Sequence, residues 1–456
     1  MSPAREADVI VVGAGTSGCY AAATVAEAGY DVTVIERKPE SEAGHIACGD
    51  ALKGAAEFPD AIPKSSFEAA ITNQSVDHGR FEIPEADTVL DIPVPGGLAV
   101  IDRLAFGKAL IEGAKAAGAD FEYDSLVTDV LQSDGQVTGI EVTKAGEKHR
   151  YESTVVIDAA GALSLLQDKV DFEGATFDTN VSFKQFTSAY REIVEVEEPV
   201  SWDDALVFKP TDRAEGYIWY FPRTPTEINV GLGYQMTAEP MELVRELRED
   251  LQSRPEFKGA TVKDKLGAAI PTRRPYDSAV APGYLAVGDA AGHVNPTTGG
   301  GIAGAAYAGA YAGDAVISGL EDGDVSEAAL WGYNKRVMDH FGGRYASLDV
   351  YNILTTAVEV DELMGLLASV PAEKLSEALY AGTTDFGLGL KLRTLFGSVS
   401  HWRLLYTLYR TKEAADRLLS HYERYPKTPA GFSEWQRERD GIMETVYKVT
   451  NAEQKY

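Results

Sequence analysis

The sequence predicts an α/β protein with a parallel-sheet nucleotide-binding domain, an antiparallel β domain and a helical C-terminal region. A strand, a glycine-rich turn, a helix and a second strand follow one another in residues 8–36, which is a βαβ unit. Residues 177–235 instead carry short apolar and aromatic strand patterns. Beyond residue 329 the apolar residues recur at helical spacing.

The N-terminal unit has the residues that a bound dinucleotide requires. The motif Gly13-x-Gly15-x-x-Gly18 separates the first strand from the helix. In such a turn the first glycine permits the tight bend, the second lets the backbone approach a pyrophosphate, and the third lets helix and strand pack closely. Glu36 ends the second strand, where its carboxylate can accept hydrogen bonds from ribose hydroxyls.

A second glycine-rich stretch indicates which nucleotide is bound. The strand that begins at Tyr284 ends in Gly288-Asp289, and the glycines before Ile302 lead into another helix. An aspartate at that strand end can bind a ribityl hydroxyl. A helix that begins near Gly301 points its positive end at the negative edge of a reduced flavin. These features favour FAD over NAD.

The elements between these two stretches are less regular. Residues 43–98 are rich in Gly, Pro and acids, and we expect loops and short strands that cover a ligand. A helix is predicted from Arg103 to Ala117. Turns at 133–135 and 145–146 then predict a three-stranded meander.

The charge balance excludes one class of partner. The chain has 70 Asp or Glu and 42 Lys or Arg, a net charge of −28, so its field repels nucleic-acid phosphates. The acids are spread along the chain, which we interpret as surface carboxylate of a protein that works in high salt, the alternative being an ordinary soluble acidic protein. These acids include Asp50, Glu57, Asp60, Glu192, Glu195, Glu246, Glu249 and Asp250.

Cysteine usage and hydropathy bear on location. Two cysteines, Cys19 and Cys48, indicate a reducing compartment. The N-terminus lacks the pattern of a secretory signal, and no apolar run reaches the ~20 residues of a membrane span. We therefore expect a cytoplasmic protein that is soluble, or at most peripheral at the inner face of the membrane. The seven histidines show no metal-ligand spacing, and no metal is expected.

One C-terminal segment departs from the acidic rule. Between Leu388 and Arg410 the chain has basic residues among aromatic and leucine residues and no acid. This pattern suits an interfacial helix that docks on anionic lipid. It equally suits a helix packed on the acidic body of the protein, or a dimer interface. The basic residues are Lys391, Arg393, Arg403 and Arg410.

Several of these motifs together resemble known flavoproteins. The N-terminal fingerprint, Arg103 at a helix start, the turn at Asp158–Gly161 and Gly288-Asp289 resemble the FAD-binding frame of the aromatic-hydroxylase-like flavoproteins. Within that group, Ala47-Cys48-Gly49-Asp50-Ala51 and Tyr217-Ile-Trp219-Tyr-Phe221-Pro222 are similar to motifs of the geranylgeranyl reductase family.

The resemblance implies three regions. A Rossmann-like, discontinuous FAD-binding domain would comprise residues 1–75, 99–172 and 265–328. An antiparallel β-sheet substrate domain would comprise residues 76–98 and 173–264, and residues 329–456 would form a helical C-terminal region.

The resemblance also implies roles for individual residues. Ser17, Glu36 and the backbone of Val127 would bind the adenosine half of FAD, and Arg103 would reach the cofactor from its helix, although it could instead be a surface arginine. The flavin half would be held by Asp289, Gly301 and Ile302. The redox site would be lined by Cys48, Gly49 and Ala51, where Ala51 stands at a position that is often glycine in the family.

Three side chains are the candidates for catalysis, namely Cys48, Tyr217 and Trp219. Cys48 could donate a proton or polarise the alkene, act as a redox thiol, or be a small residue in a tight flavin contact. Residues 217–222 and 228–233 are expected to pair as strands. Because both alternating faces of the 217–222 strand are apolar, it is either sandwiched in a core or lines an apolar channel for a prenyl chain.

The implied activity is reduction of C=C bonds in geranylgeranyl chains of archaeal ether-lipid precursors, with hydride from reduced flavin and a proton from an acid. The aromatic hydroxylases commonly carry an Asp-Gly pair where this chain has Ala160-Gly161. We therefore expect electrons to come from a protein carrier such as ferredoxin, a reduced nicotinamide being the other donor. The alternatives are a flavin monooxygenase acting on an aromatic substrate and a non-catalytic prenyl-binding protein.

Overall fold

The computed structural model describes residues 4–84, 88–211, 216–236, 239–358 and 402–456. The strands in these ranges are β1 Arg5–Val12, β2 Val32–Ile35, β3 Ala51–Lys53, β4 Ile71–Ile83, β5 Thr88–Ile101, β6 Asp120–Glu122, β7 Ser125–Ser133, β8 Gln136–Lys144, β9 Glu147–Asp158, β10 Phe186–Glu195, β11 Ala205–Pro210, β12 Gly216–Pro222, β13 Glu227–Gln235, β14 Thr261–Pro271, β15 Val280–Ala281 and β16 Tyr284–Ala286. The α-helices are α1 Thr16–Glu27, α2 Arg103–Ala116, α3 Met241–Ser253, α4 Ile302–Asp322, α5 Glu327–Val337, α6 Gly343–Thr355, α7 Trp402–Tyr422 and α8 Phe432–Thr450.

The first sheet is built around parallel strands in the order β16-β9-β1-β2-β6. Val9, Ile10 and Val11 are fully buried, as expected for a strand covered on both faces. The hairpin β7–β8 joins the N-terminal half of β9 in antiparallel pairing, so the predicted meander is confirmed. This sheet brings the C-terminal ends of β1, β9 and β16 to one edge.

Two small-residue helices, α1 and α4, pack on each other beside this sheet. A Cβ atom on Gly309 of α4 would lie 2.2 Å from the carbonyl oxygen of Ser17, and one on Gly313 would lie 2.7 Å from Cβ of Thr24. The glycines therefore let α1 and α4 pack backbone to backbone. The predicted helix at 103–117 is also confirmed, and the side chain of Asp102 caps its N-terminus.

The second sheet has the strand order β14-β10-β13-β12-β11-β4-β5-β3. Its pairs are antiparallel except β11 with β4, which is parallel. The predicted pairing of 217–222 with 228–233 is confirmed as the β12–β13 hairpin. One face of the sheet packs on α3, where Ile218 and Tyr220 join Leu243 and Leu247 in a buried cluster.

Two expectations about chain organisation are corrected here. The region 43–98 contains two long strands, β4 of 13 residues and β5 of 14, rather than short ones. Their pairing has three register irregularities between Ile71 and His78, which removes the alternation that would have revealed them. The boundary expected at residue 265 lies inside β14, so the second sheet continues to Pro271.

Several acids interpreted as surface carboxylate are buried instead. Asp50, Glu192, Glu246 and Asp250 all lie in the interior. Asp250 accepts a hydrogen bond from Nζ of Lys209 at 2.5 Å, and Glu192 accepts one from the Tyr190 hydroxyl at 2.6 Å. Composition alone does not distinguish such paired carboxylates from exposed ones, since both count equally toward the net charge.

The C-terminal helices pack on one another through aromatic residues. Trp331 of α5 stacks on Tyr425, with ring centroids 5.7 Å apart, and Phe432 and Trp435 of α8 join them. Of the basic segment, residues 388–401 lie outside the described residues. None of the described helices is long and apolar enough to cross a membrane.

Candidate active site

The fingerprint turn leaves open space only at its middle glycine. A Cβ on Gly13, whose φ is +104°, would lie 2.4 Å from the carbonyl oxygen of Ala159, and one on Gly18 would lie 2.0 Å from the carbonyl oxygen of Gly13. At Gly15 the nearest atom would be a methyl of Ile46 at 3.8 Å. Gly13 and Gly18 are therefore needed for packing, while Gly15 leaves room for a pyrophosphate.

Glu36 stabilises the turn through two hydrogen bonds, and its carboxylate can still accept hydrogen bonds from a ligand. Its Oε2 accepts a hydrogen bond from the Ala14 N–H at 2.9 Å, and its Oε1 accepts one from the Lys38 N–H at 2.8 Å. A carboxylate has about four lone-pair positions, so both oxygens can still accept ribose hydroxyls. The Ser125 N–H donates to the Glu36 carbonyl at 3.0 Å, which puts half-buried Val127 two residues from this contact.

Arg103 is buried and not a surface residue, since it is only 4% exposed. Its Nη2 donates to Oγ1 of Thr16 at 3.1 Å, at the start of α1. Its Nη1 is buried and has no hydrogen-bond partner among the described residues. A guanidinium beside a helix N-terminus is unfavourable alone, so this position fits a bound anionic group such as a pyrophosphate.

The second glycine-rich turn meets the first. A Cβ on Gly288 would lie 2.4 Å from Oγ of Ser17, so the two turns touch. A Cβ on Gly301, which precedes Ile302 at the start of α4, would lie 3.8 Å from Oδ1 of Asp289. Burial raises the pKa of Asp289 to about 6, and the positive charge of Arg103 opposes the shift.

His293 lies beside the second glycine-rich turn and stabilises its backbone. Its Nδ1 accepts a hydrogen bond from the Gly288 N–H at 3.1 Å, and it is almost fully buried. Burial lowers its pKa to about 3, so the ring is neutral at physiological pH.

Together with the unpaired Arg103 Nη1 and the space at Gly15, these two joined turns fit a dinucleotide flavin.

The loop that carries Cys48 lies against β12. A Cβ on Gly49 would lie 3.0 Å from the Phe221 ring and 3.6 Å from Nε1 of Trp219, so a larger residue would require the Phe221 ring to move by a few tenths of an ångström. Ala51 follows as the first residue of β3 and is half-buried. Burial, and then the charge of Asp50, raise the pKa of the Cys48 thiol. Cys19 and Cys48 are both free.

Tyr217 connects β12 to the second glycine-rich turn. Its hydroxyl donates to the carbonyl oxygen of Thr298 at 3.1 Å. Burial raises its pKa to about 12, and the nearby thiol of Cys48 adds to the shift. Trp219 and Phe221 lie on the same face of the sheet as Tyr217, in a cluster separate from that of Ile218 and Tyr220. Each face of the strand thus meets a different environment.

Three residues of this site were not predicted to belong to it: Asp50, Arg223 and Asn229. Asn229 donates to the carbonyl oxygen of Cys48 at 2.8 Å and accepts from Nε1 of Trp219 at 2.9 Å. Asp50 lies within the motif that contains Cys48, and Arg223 directly follows the aromatic motif of residues 217–222. Their position next to these motifs is the feature of the sequence that could have identified them as site residues. For Asn229 the sequence offers only a polar residue in an apolar strand.

The fold and this site define an FAD-binding flavoprotein. The family described as FAD binding domain matches residues 6–336. The chain is 32% identical over 347 residues to the digeranylgeranylglycerophospholipid reductase of Methanocella arvoryzae, covering 74% of this chain and 84% of that one. It is 30% identical to that of Methanothrix thermoacetophila, covering 81% and 93% of the two chains. The chain therefore belongs to the digeranylgeranylglycerophospholipid reductase family.

A further relative and two solved structures extend the match. The reductase of the same name from Sulfolobus acidocaldarius is 26% identical over 96% of this chain and 97% of its own. A geranylgeranyl bacteriochlorophyll reductase-like protein of Thermoplasma acidophilum has the same fold, with a TM-score of 0.72 and 22% identity over 91% of this chain and all of that one. A myxobacterial FAD-dependent chondrochloren halogenase shares the fold at a TM-score of 0.62 and 18% identity, covering 86% and 97% of the two chains.

Proposed function

We propose that this protein is an FAD-dependent reductase that saturates C=C bonds in the geranylgeranyl chains of archaeal glycerophospholipid precursors. The names of the relatives support this substrate class. The observation that carries the proposal is the convergence of three parts: the Cys48 loop, the aromatic face of β12, and the turn at Thr298 that Tyr217 contacts. An apolar chain between the aromatic face and a flavin would have its alkene carbons beside both a hydride source and a protonated side chain.

The reaction needs two hydrogens delivered differently. FAD, when bound and reduced by two electrons, supplies the hydride and both electrons. An isolated trisubstituted alkene is a poor electrophile, so proton delivery must accompany hydride transfer in a dry site. We assign the proton to the Cys48 thiol: its S–H bond breaks as a C–H bond forms, and water reprotonates the thiolate afterwards. Trp219 walls the chain and excludes water.

Tyr217 is poorly suited to donate the proton. Its pKa of about 12 lies further from the working pH than is useful for a general acid. Its bond to Thr298 instead fixes the turn that precedes α4. Tyr217 therefore serves in positioning, and the Tyr217→Phe variant tests this role through flavin retention as well as turnover.

For the electron donor we favour a ferredoxin-like protein carrier over a reduced nicotinamide. The Ala160 N–H donates to Oδ1 of Asp158 at 3.0 Å, and the Ala160 side chain is exposed. The position where hydroxylases carry a carboxylate thus presents a methyl group to solvent. Anaerobic stopped-flow reduction distinguishes the donors, and rapid bleaching of the flavin by NADPH without a carrier would overturn this assignment.

A peripheral membrane contact at the start of α7 completes the proposal. Tyr406 and Tyr409 are 56% and 58% exposed there, and Arg403 and Arg410 are on the same helix. Basic and aromatic residues on one helix are typical of interfacial binding to anionic lipid. In liposome flotation at high salt, Arg403→Glu together with Lys391→Glu and Arg393→Glu should reduce binding. Undiminished flotation of the triple variant would exclude this contact.

The decisive experiment for the activity uses the purified, flavin-loaded protein. It is reduced anaerobically and mixed with digeranylgeranylglycerophospholipid, and the lipid is analysed by mass spectrometry. We expect a mass increase of about 2 Da per saturated bond, with one flavin oxidised for each. Substrate-dependent oxygen consumption with NADPH and an aromatic compound would instead identify a monooxygenase, and a colourless protein that binds prenyl lipid unchanged would identify a binding protein.

A further inference from the structure

A buried polar cluster lies directly behind Cys48, between its loop and the second sheet. Asp50 and Asn229 are fully buried, and Arg223 is 6% exposed. Oδ2 of Asp50 accepts hydrogen bonds from Nε and Nη2 of Arg223 at 2.8 and 2.6 Å. The same oxygen accepts from Nδ2 of Asn229 at 2.7 Å. The carboxylate is therefore tied to the hairpin β12–β13 from both sides.

Three hydrogen bonds join this cluster to Cys48 and Trp219, and one of them ends on the thiol sulfur. The Asp50 N–H donates to Sγ of Cys48 at 3.2 Å. Nδ2 of Asn229 donates to the Cys48 carbonyl oxygen at 2.8 Å, and its Oδ1 accepts from Nε1 of Trp219 at 2.9 Å. The thiol, its own carbonyl group and the indole are thus held in one hydrogen-bonded unit.

Two features of Asp50 cost stability. Its φ is +68°, in the left-handed region that most non-glycine residues avoid and that Asp adopts at a smaller cost. Its Oδ1 is buried without a hydrogen-bond partner in the part of the chain that the structure describes. Most buried polar side-chain atoms have a hydrogen-bond partner, so this oxygen requires an explanation. Unfavourable features of this kind persist where a functional geometry requires them.

We propose that Asp50 and Asn229 are positioning residues that hold the Cys48 thiol in one orientation against the aromatic strand and in its protonated form. This inference rests on the proposed function, in which Cys48 delivers a proton. Asn229 supplies the orientation, because it joins the Cys48 carbonyl to Trp219. Asp50 supplies the negative charge that disfavours the thiolate.

The titratable and charged groups around the thiol come from four elements, and Tyr217 among them is neutral at pH 7. Asp50 belongs to the thiol's own loop, Arg103 to α2, Arg191 to β10 and Tyr217 to β12. The pKa of Cys48 is raised first by burial and then by Asp50, whereas the two arginines lower it. If the charge of Asp50 is removed, the arginines act unopposed and the thiol ionises at lower pH.

The test measures Cys48 alkylation by iodoacetamide in the FAD-loaded protein, by peptide mass spectrometry as a function of pH and without lipid. For Asp50→Asn we expect the midpoint to fall by about 1 pH unit or more, which is about a tenfold higher labelling rate at pH 7. For Asn229→Ser we expect faster labelling at every pH with an unchanged midpoint, because orientation is lost but charge is kept. Flavin absorbance confirms that each variant is folded.

The matched control is Asp178→Asn, which removes the charge from another buried pair, with Nη2 of Arg273 at 2.8 Å. It should keep the wild-type labelling profile. A wild-type profile in both site variants would overturn the inference, as would an equal change in the control. If the midpoint moves but the wild-type enzyme reduces no lipid, the positioning stands and the proposed function fails.

Discussion

The two sheets contribute different groups to the site, namely closely packed backbone from the first and side chains from the second. The first sheet offers backbone: at Gly13, Gly18 and Gly288 an added Cβ would lie within 2.4 Å of a neighbouring atom. The second sheet offers side chains, with Tyr217 and Trp219 on the face that meets the cysteine loop. A site built from backbone admits no side chain at its closest approaches, whereas a site built from side chains accepts exchanges that alter its chemistry. Mutations at the glycine turns of the first sheet should therefore remove the cofactor, and mutations on the aromatic face of the second sheet should lower turnover.

The largest effect is expected at Gly18. In Gly18→Val the new side chain would collide with the Gly13 carbonyl oxygen, since a Cβ there lies 2.0 Å away. We expect a loss of about 3 kcal/mol or more in unfolding free energy and a colourless protein. Gly332→Ala in α5, where a Cβ meets no atom within 4 Å, is the control and should keep its flavin. Flavin absorbance and urea unfolding check both, and a yellow, stable Gly18→Val variant would contradict the backbone-built site.

The second prediction contrasts the two faces of the second sheet. Trp219→Ala should keep the flavin and lower kcat by about 100-fold, because the alkene is no longer held in place. Val230→Ala, on the face that packs on α3, should lower the unfolding free energy by about 2 kcal/mol and leave kcat of the folded enzyme unchanged. Turnover and urea unfolding separate the two. Equal losses of turnover in both variants would remove the distinction between the faces.

A third prediction concerns Arg103, whose buried guanidinium is expected to bind the pyrophosphate of FAD. Replacing it in Arg103→Gln removes a buried charge-assisted donor, worth about 1.5–3 kcal/mol, so FAD should bind roughly 10- to 150-fold more weakly. Arg336→Gln is the control, because its ion pair with Asp314 is exposed on both sides and contributes little. Flavin titration of the apoprotein gives both affinities. Unchanged affinity in Arg103→Gln would show that the buried Nη1 faces no phosphate.

The smallest effect is a pH dependence in the first sheet's site. The pKa of His293 is lowered to about 3 in the folded protein, against about 6.5 when unfolded. Below pH 6.5 the unfolded chain therefore binds a proton that the folded chain does not, and stability falls as pH falls. Between pH 6.5 and 5 this amounts to about 2 kcal/mol, at 1.36 kcal/mol per pH unit. Urea unfolding of the apoprotein at pH 7.5 and 5 should show this loss, and His293→Gln should lack it.

The difference between the sheets also explains what could be predicted from the sequence. The glycine-rich turns and α1, α2 and the β12–β13 hairpin were all predicted, because residue type and local spacing determine them. The fully buried Asp50 was interpreted as a surface acid, since its partner Arg223 lies 173 residues away. The role of Asn229 could not be predicted from the sequence either, because it depends on the register of β13 against β12. Strands β4 and β5 were missed because irregular pairing broke their alternation.

The interleaved strand order has a consequence for synthesis. In the first sheet β9 pairs with β1 and with β16, which ends at Ala286, and the second sheet needs both β3 and β14. At about 5–20 residues per second, the ribosome takes roughly 15–60 s to reach that point. Until then the nascent chain carries apolar strands with unpaired edges, which are prone to aggregate. A chain that stalls or is released before Ala286 can complete neither the parallel sheet nor the cofactor site.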